Sequence, residues 1–207
     1  MIARILLFIK HRIPWLWIGI DWLNARLYRI LHQKNIAQQA ELAFDEFELS
    51  GFEFRRLVAA DLSELQAMLE RQKSGRLEYF RPHGFDYASL EKMHANPAFL
   101  MFGVFSEQRI IGYFFLRCFW NKKCFVGRLL DQPFEGKGIG RVMNQIMYNT
   151  AWWSGFRCFT SISRNNQWIM RAHAKNPHAR FVSELANDYQ LVEFIPLTNQ
   201  DSQSGKG

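Results

Sequence analysis

Three glycines, Gly136, Gly138 and Gly140, alternate with other residues at the point where an apolar run ends and an amphipathic helical pattern begins. Glycine lets a backbone turn tightly and approach a ligand closely. The N–H groups of such a turn and the positive end of the helix that follows form a site for phosphate oxygens. Lys137 and Arg141 add positive charge. The alternative is a glycine turn without a ligand.

Two familiar phosphate-binding loops do not fit this motif. A P-loop ends in Gly-Lys-Ser or Gly-Lys-Thr, whereas Gly140 is followed by Arg141 and Val142. A dinucleotide-binding loop needs its third glycine at position 141 here and an acidic residue about 20 residues later. The next acidic residue after the loop is Glu184. The motif therefore belongs to neither class.

Hydrophobic periodicity and turn residues predict both helices and strands from residue 51 onward. Short polar connections in the middle of this region indicate antiparallel hairpins. In chain order the sequence predicts a strand at 52–58, a helix at 59–72, a loop at 74–85, a helix at 86–95, strands at 99–105, 109–119 and 124–131, a helix at 140–154, a strand at 156–163, a helix at 166–175, a loop from Pro177 and a strand at 189–196.

This order of elements and its glycine loop resemble the Gcn5-related N-acetyltransferase (GNAT) superfamily, over residues 51–197. Members bind acyl-coenzyme A through an Arg/Gln-x-x-Gly-x-Gly/Ala loop. The resemblance implies an α/β (α+β) fold whose mixed, mostly antiparallel sheet is flanked by helices and splayed open beside the loop, where pantetheine lies. It also implies an acyl-coenzyme-A-dependent N-acyltransferase, most simply an N-acetyltransferase using acetyl-coenzyme A, with direct attack by a primary amine in a ternary complex.

The resemblance also places the end of the fourth strand at the coenzyme. Backbone N–H groups there would orient the acyl carbonyl. Glu135 departs from the family, which has Arg or Gln there. A carboxylate would repel diphosphate unless it turns outward or pairs with Lys137 or Arg141. The predicted coenzyme contacts are Leu130, Gln132, Gly136, Lys137, Gly138, Ile139, Gly140, Arg141 and Asn166.

A second motif lies downstream, where Asn166, His173 and Lys175 keep the spacing of a family motif that has Tyr in place of His173. In the family this Tyr often donates a proton to the departing coenzyme A thiolate. Imidazole, with a reference pKa of about 6.5, is partly protonated near neutrality and can do the same. His173 is therefore the candidate acid, and its alternative is a surface or partly buried structural histidine.

The amine acceptor is expected against the segment 76–85, because the corresponding segment shapes the acceptor pocket in this superfamily. Arg81 and His83 are suited to an anionic acceptor, and Glu78, His83 or Asp131 is suited to act as the base. An amino sugar of cell-envelope polysaccharide synthesis is the preferred acceptor. Protein N-termini, lysine side chains, polyamines and antibiotics are acceptors elsewhere in the superfamily, and the segment can also be a loop without a ligand.

Residues 1–49 predict an N-terminal amphipathic helical segment. Six Lys or Arg through residue 34, against the single Asp21, together with three tryptophans, suit the surface of an anionic membrane. The alternative is packing of the apolar stripe on the main domain or on a second subunit, as in a homodimer. The stripe comprises Leu16, Ile20, Leu23, Leu27, Ile30 and Leu31, and the opposite face carries Asp21, Asn24, Tyr28 and His32.

The chain therefore divides into this segment, a GNAT-like domain at 50–197 and a polar tail at 198–207 that we expect to be disordered. Its longest N-terminal apolar run, at 5–9, is too short for a membrane span or a secretory core. We expect a cytoplasmic protein, at the inner face of the membrane if the helix binds lipid. Three cysteines without a C-x-x-C pair predict neither a disulfide framework nor a zinc site, and no metal is expected. Cys118, Cys124 and Cys158 instead lie in apolar strands and are expected in the core.

The net charge of +7 is concentrated in residues 136–183, which hold seven Lys or Arg and no Asp or Glu. Such a window indicates a polyanionic partner, either a phosphorylated small molecule or nucleic acid, or a solvated basic face. The scatter of these residues through helix and strand argues against nucleic acid. The alternative function is a non-catalytic protein of this fold that docks on an anionic membrane or RNA.

Overall fold

The computed structural model describes residues 14–73 and 75–197, with backbone alone for residues 14–18. The predicted disordered tail and residues 1–13 lie outside this part of the chain. The described elements are α1 (Pro14–Leu31), α2 (Gln33–Glu46), β1 (Glu53–Arg56), α3 (Leu62–Glu70), α4 (Tyr87–Ala95), β2 (Phe99–Ser106), β3 (Arg109–Cys118), β4 (Lys123–Leu130), α5 (Ile139–Trp153), β5 (Arg157–Ser163), α6 (Gln167–Ala174), β6 (Ala179–Leu185) and β7 (Tyr189–Phe194).

A single seven-stranded sheet runs through the molecule in the order β1-β2-β3-β4-β5-β7-β6. The pairing of β4 with β5 is parallel, and the other neighbouring pairs are antiparallel. The predicted mixed, mostly antiparallel sheet is confirmed. Short connections permit hairpins between β2, β3 and β4, whereas the parallel step from β4 to β5 needs the longer crossover that α5 provides.

Side chains on the two faces of the sheet build two cores, because successive residues of a strand point to opposite faces. Along β4, Cys124, Val126 and Leu130 join the core covered by α2 and α5. Leu129 joins the core covered by α3 and α4. The glycine loop leaves the end of β4 between these two layers.

The three cysteines lie side by side on β3, β4 and β5, since Cys124 pairs in register with both Cys118 and Cys158. All three are fully buried, as the apolar strand positions predicted. Burial raises the pKa of the Cys118 and Cys158 thiols, so these side chains behave as small core residues.

The two N-terminal helices share the core of the main sheet. Ile36, Ala40 and Ala43 of α2 are buried with α5, and Tyr28 of α1 is fully buried. Of the helices that the structure describes, none has both the length and the hydropathy needed to cross a bilayer.

Helix α1 presents its polar face, not its apolar stripe, to the rest of the protein. Asn24 Nδ2 donates to the Cys118 carbonyl at 3.1 Å, and the Trp120 N–H donates to Asn24 Oδ1 at 3.1 Å. Leu23 and Ile30 are exposed. The prediction that the stripe packs on the main domain is therefore wrong for these side chains, because the edge reached by α1 offers backbone groups that need hydrogen-bond partners.

Strand β6 occupies part of the region after Pro177 that was predicted to be a loop. It is an edge strand, exposed along most of its length, so its sequence lacks the apolar alternation of a half-buried strand. The turn to β7 holds Asn187 and Asp188 at φ of 57° and 59°. Asn and Asp adopt positive φ more readily than most residues, so this pair favours a tight hairpin turn. It was the feature of the sequence that could have predicted β6.

Candidate active site

Strands β4 and β5 separate after a short parallel pairing, as predicted. Their register covers Lys123 to Phe125 on β4 and Arg157 to Phe159 on β5. Beyond it, β4 continues to Leu130 along β3 and has no strand partner on its other edge among the described residues, while β5 continues along β7. One edge of β4 therefore borders a cleft that leads to the glycine loop.

The glycine loop turns through left-handed backbone conformations at Gly136 and Gly138, whose φ angles are 76° and 84°. Gly138 immediately precedes α5. The N–H of Arg141 donates to the Gly138 carbonyl at 3.0 Å, but the N–H groups of residues 136 to 140 have no acceptor among the described residues. This row of donors lies at the positive end of a helix, which is the arrangement that binds phosphate oxygens.

The third glycine also has a steric role that was not predicted. A β-carbon at Gly140 would lie 2.8 Å from Nη1 of Arg128. The absence of a side chain at Gly140 thus makes room for a guanidinium from β4, whereas open space surrounds Gly136 and Gly138.

Arg128 is a site residue that the sequence reasoning missed. Its Nε donates to Asn144 Oδ1 on α5 at 2.8 Å. Arg128 is exposed to solvent, but protein atoms crowd around its guanidinium, and this partial desolvation lowers the pKa of Arg128. Arg128 is in phase with the buried Cys124 and Val126 of the same strand. A charged residue at a position that shares the phase of buried residues was the feature of the sequence that could have identified Arg128 as a site residue.

Glu135 forms an ion pair, but with neither of the partners predicted for it. Arg76 Nη2 donates to Glu135 Oε1 at 2.6 Å and to the Leu130 carbonyl at 2.8 Å. Lys137 instead lies over the ring of Phe134, with its Nζ 4.9 Å from the ring centroid. The unfavourable charge of Glu135 beside the loop is therefore balanced by the segment that was predicted to bind the acceptor.

His173 lies half-buried on the last turn of α6, with its ring centroid 5.4 Å from that of Phe194. Burial and the nearby charge of Arg128 lower the pKa of His173 to about 4. These surroundings favour the neutral imidazole and conflict with the expected partial protonation near neutrality. Asn166 caps α6, since its Oδ1 accepts from the Ile169 N–H at 3.2 Å.

His83 does not have a free ring nitrogen. Its Nδ1 lies 2.7 Å from the Gly84 carbonyl and its Nε2 lies 2.8 Å from the Tyr113 hydroxyl. These partners assign the proton to Nδ1 and make the hydroxyl the donor to Nε2. Burial lowers the pKa of His83. The predictions of His83 as an acceptor ligand or base conflict with this arrangement, while Glu78 and Arg81 are exposed on the same loop.

Asp131 is also fully engaged. Its Oδ2 accepts from Arg71 Nε at 3.0 Å and Nη2 at 2.8 Å, and its Oδ1 accepts from Gln72. These hydrogen bonds hold the carboxylate and conflict with its predicted role as a base. A cavity of about 460 Å³ opens beside it, and the basic residues in its lining are Arg71, Lys73, Arg76 and Arg109.

Solved structures share this overall fold. The GNAT domain of S. lividans PAT superposes with a TM-score of 0.59 at 11% identity, over 68% of this chain and 88% of that one. A ribosomal-protein-S5-alanine acetyltransferase from Vibrio fischeri gives 0.57 at 17% identity, over 71% and 93%. The chain has the GNAT fold.

A third structure with the GNAT fold, the PaiA N-acetyltransferase from Thermoplasma acidophilum, was solved in complex with coenzyme A. It superposes with a TM-score of 0.56 at 17% identity, over 70% of this chain and 99% of that one. The sequence itself matches no family model and no curated protein. The likeness is therefore one of fold, and α1 and α2 both lie before residues 51–197, the region that resembles the GNAT superfamily.

Proposed function

We propose that this chain is an acyl-coenzyme-A-dependent N-acyltransferase, with acetyl-coenzyme A as donor. The observation that carries the proposal is the row of backbone N–H groups at residues 136 to 140, without acceptors among the described residues, at the end of the cleft beside β4. Diphosphate oxygens would accept from these N–H groups. Lys137 and Arg141 are exposed beside them and add positive charge.

The free edge of β4 supplies the groups that would hold the pantetheine arm and the acyl carbonyl. The Asp131 N–H donates to the Ile111 carbonyl of β3 at 2.8 Å. Because backbone groups alternate sides along a strand, the N–H of Leu130 points toward the cleft. This N–H and that of Gln132 are the proposed donors to the acyl oxygen. Removing one such donor from comparable sites costs about 3 to 4 kcal/mol.

The donor supplies a thioester, which a neutral amine attacks as a new C–N bond forms and the C–S bond breaks. The chain holds both reactants in one cleft, so that attack is effectively unimolecular. Neutral His173 would donate an N–H hydrogen bond to the departing sulfur, and the Arg128 guanidinium would favour its negative charge. The proton lost by the amine would leave through water or Glu78, which is exposed on the acceptor loop.

For the acceptor we propose an amino sugar that carries an anionic group, as in precursors of cell-envelope polysaccharides. Its support is the basic lining of the cavity beside the loop, where Lys73 and Arg109 make no ion pair with the described residues. Arg81, exposed on the segment between α3 and α4, would add charge. Amine acceptors without an anionic group would leave these charges unused.

A non-catalytic role is the second candidate, because the lowered pKa of His173 disfavours the imidazolium form that would act as the predicted acid. In that case the protein would bind the coenzyme, or an anionic surface, without turnover. Acyl transfer from acetyl-coenzyme A to a panel of amines and amino sugars distinguishes the two, since free thiol is released only by the enzyme.

Titration calorimetry with acetyl-coenzyme A tests the site itself. We expect binding by the wild type and a loss of at least about 100-fold in Gly138→Asp, since a carboxylate would enter the proposed diphosphate site. Gly155→Asp is the matched control, because Gly155 has a similar φ of 75° but lies at the other end of α5. Equal affinity in the two variants, or no binding by the wild type, would overturn the proposal.

A further inference from the structure

Helix α1 is attached to the protein by its polar side. Asn24 is buried and hydrogen-bonded to both Cys118 and Trp120, and His32 Nε2 lies 2.9 Å from the Trp120 carbonyl. Asp21 forms an ion pair with Arg117 at 3.3 Å. In an isolated amphipathic helix these polar side chains would be solvated. Here they contact the protein, and the contacts determine which face of α1 points outward.

The outward side of α1 is apolar. Trp22 is 60% exposed, Leu23 50%, Ile30 71% and Leu31 56%. We call these four residues the α1 apolar face. No described part of the chain covers them, although burying one such side chain fully is worth about 1.5 to 3 kcal/mol. A helix whose polar face is held by protein and whose apolar face is open needs a second surface.

The charge around this face is positive. Arg26 and Arg29 are exposed on α1, and the Arg26 guanidinium lies 5.6 Å from the centroid of the Trp22 ring. Asp21, the acidic residue of α1, is already paired with Arg117. The adjoining turn between β3 and β4 is bonded to α1 through Trp120 and exposes that tryptophan and Lys122. Lys123, at the start of β4, is exposed as well. The exposed acidic residues of α2 begin only at Glu41.

We propose that the α1 apolar face docks on the surface of an anionic lipid membrane, with α1 lying in the plane of the interface. Apolar side chains enter the boundary between headgroups and acyl chains, tryptophan favours that depth, and each basic residue near an anionic surface contributes about 1 kcal/mol. This inference is independent of the proposed catalysis, because none of its residues belongs to the cleft or the glycine loop.

A second copy of the chain fits this face less well. In a symmetric pair the same patch meets itself, so Arg26 and Arg29 of the two copies would be brought together without acidic partners. Like charges that are partly desolvated repel. An anionic bilayer matches both the apolar centre and the basic surroundings.

Sedimentation of the full chain with vesicles tests the proposal. We expect binding to vesicles of equal parts phosphatidylcholine and phosphatidylglycerol, and little binding to phosphatidylcholine alone. Leu23→Ser combined with Ile30→Ser should weaken binding at least about tenfold. Leu42→Ser is the matched control, since Leu42 is a similarly exposed leucine on α2 and outside the α1 apolar face. Arg26→Gln with Arg29→Gln should lower binding to the anionic vesicles.

Circular dichroism and acetyl-coenzyme A affinity should be unchanged in all these variants, so a loss of vesicle binding is not a loss of fold or of the proposed site. Three outcomes would overturn the proposal: no vesicle binding by the wild type, equal loss in Leu42→Ser, or a dimer in analytical ultracentrifugation that Leu23→Ser and Ile30→Ser dissociate while vesicles stay unbound. Equal binding to both kinds of vesicle would contradict the requirement for anionic lipid.

Discussion

The guanidinium of Arg128 lies against the first turn of α5, where a β-carbon at Gly140 would come within 2.8 Å of Nη1. The hydrogen bond from Arg128 to Asn144 holds it there. A positive charge is thus placed beside the row of N–H groups at residues 136 to 140, which have no acceptor in the described part of the chain.

This relationship predicts that substitutions at the two positions are not additive. Alanine is favoured over glycine inside a helix by about 1 kcal/mol, so Gly140→Ala should stabilise an Arg128→Ala background by about that amount. In the wild type we expect a smaller gain, because the guanidinium must move and lose Asn144. Urea unfolding of the four proteins measures the coupling, and Gly19→Ala, with open space around Gly19, is the control. Equal gains in both backgrounds would contradict the contact.

The ion pair between Arg76 and Glu135 should permit acetyl-coenzyme A to bind beside the Glu135 carboxylate, and the affinity of variants at the two positions tests this. Arg76→Gln leaves a carboxylate unpaired beside the proposed diphosphate site, and we expect the Kd to rise about tenfold at low salt, or about 1.4 kcal/mol. Adding Glu135→Gln should restore most of the loss. Stability should change by less than about 1 kcal/mol, because the pair is partly exposed. A double variant as weak as Arg76→Gln would contradict this interpretation.

The pKa of His173, lowered by burial and by Arg128 to about 4 from 6.5, predicts a loss of stability in acid. Above pH 6.5 neither the folded nor the unfolded chain binds this proton. As the pH falls toward 4, the unfolded chain binds this proton and the folded chain does not. The free energy of unfolding therefore falls by at most about 3 kcal/mol.

Urea unfolding at pH 7 and pH 5 measures this effect, and His173→Gln should reduce the difference between the two. The variant should retain some acid sensitivity, because burial also lowers the pKa of His83. An imidazole of His173 that titrates near pH 6.5 by NMR would contradict the assigned environment.

Asn24→Ala should weaken the attachment of α1 by about 1 to 3 kcal/mol, since it removes two hydrogen bonds and leaves the Cys118 carbonyl and the Trp120 N–H without partners. Hydrogen exchange at the Trp120 amide is the direct measurement. Asn35→Ala is the control, because the bond from Asn35 to the Ser154 carbonyl is long, at 3.4 Å. Unchanged protection of Trp120 would show that α1 is held differently.

Much of the fold could be predicted from the sequence, and the errors arose where the surroundings of a residue in the folded chain mattered. The strands at the centre of the sheet follow from apolar runs between polar turns. Strand β6 was missed because an exposed edge strand carries no such pattern. For the site, the glycine loop was evident in the sequence, but Arg128 was overlooked, and the histidine that carried the proposed chemistry lies in surroundings that keep it neutral.

The amino-acid sequence alone determined the order of the elements from β1 to α6 and the turn at Gly136 and Gly138, because apolar periodicity and glycine's freedom at positive φ act over a few residues. Tertiary structure decided the partner of Glu135, which is 59 positions away in Arg76, and the outward direction of the α1 apolar face, set by Asn24 and Cys118, 94 positions apart. Charge balance and burial depend on which distant groups become neighbours, and only the packed chain brings them together.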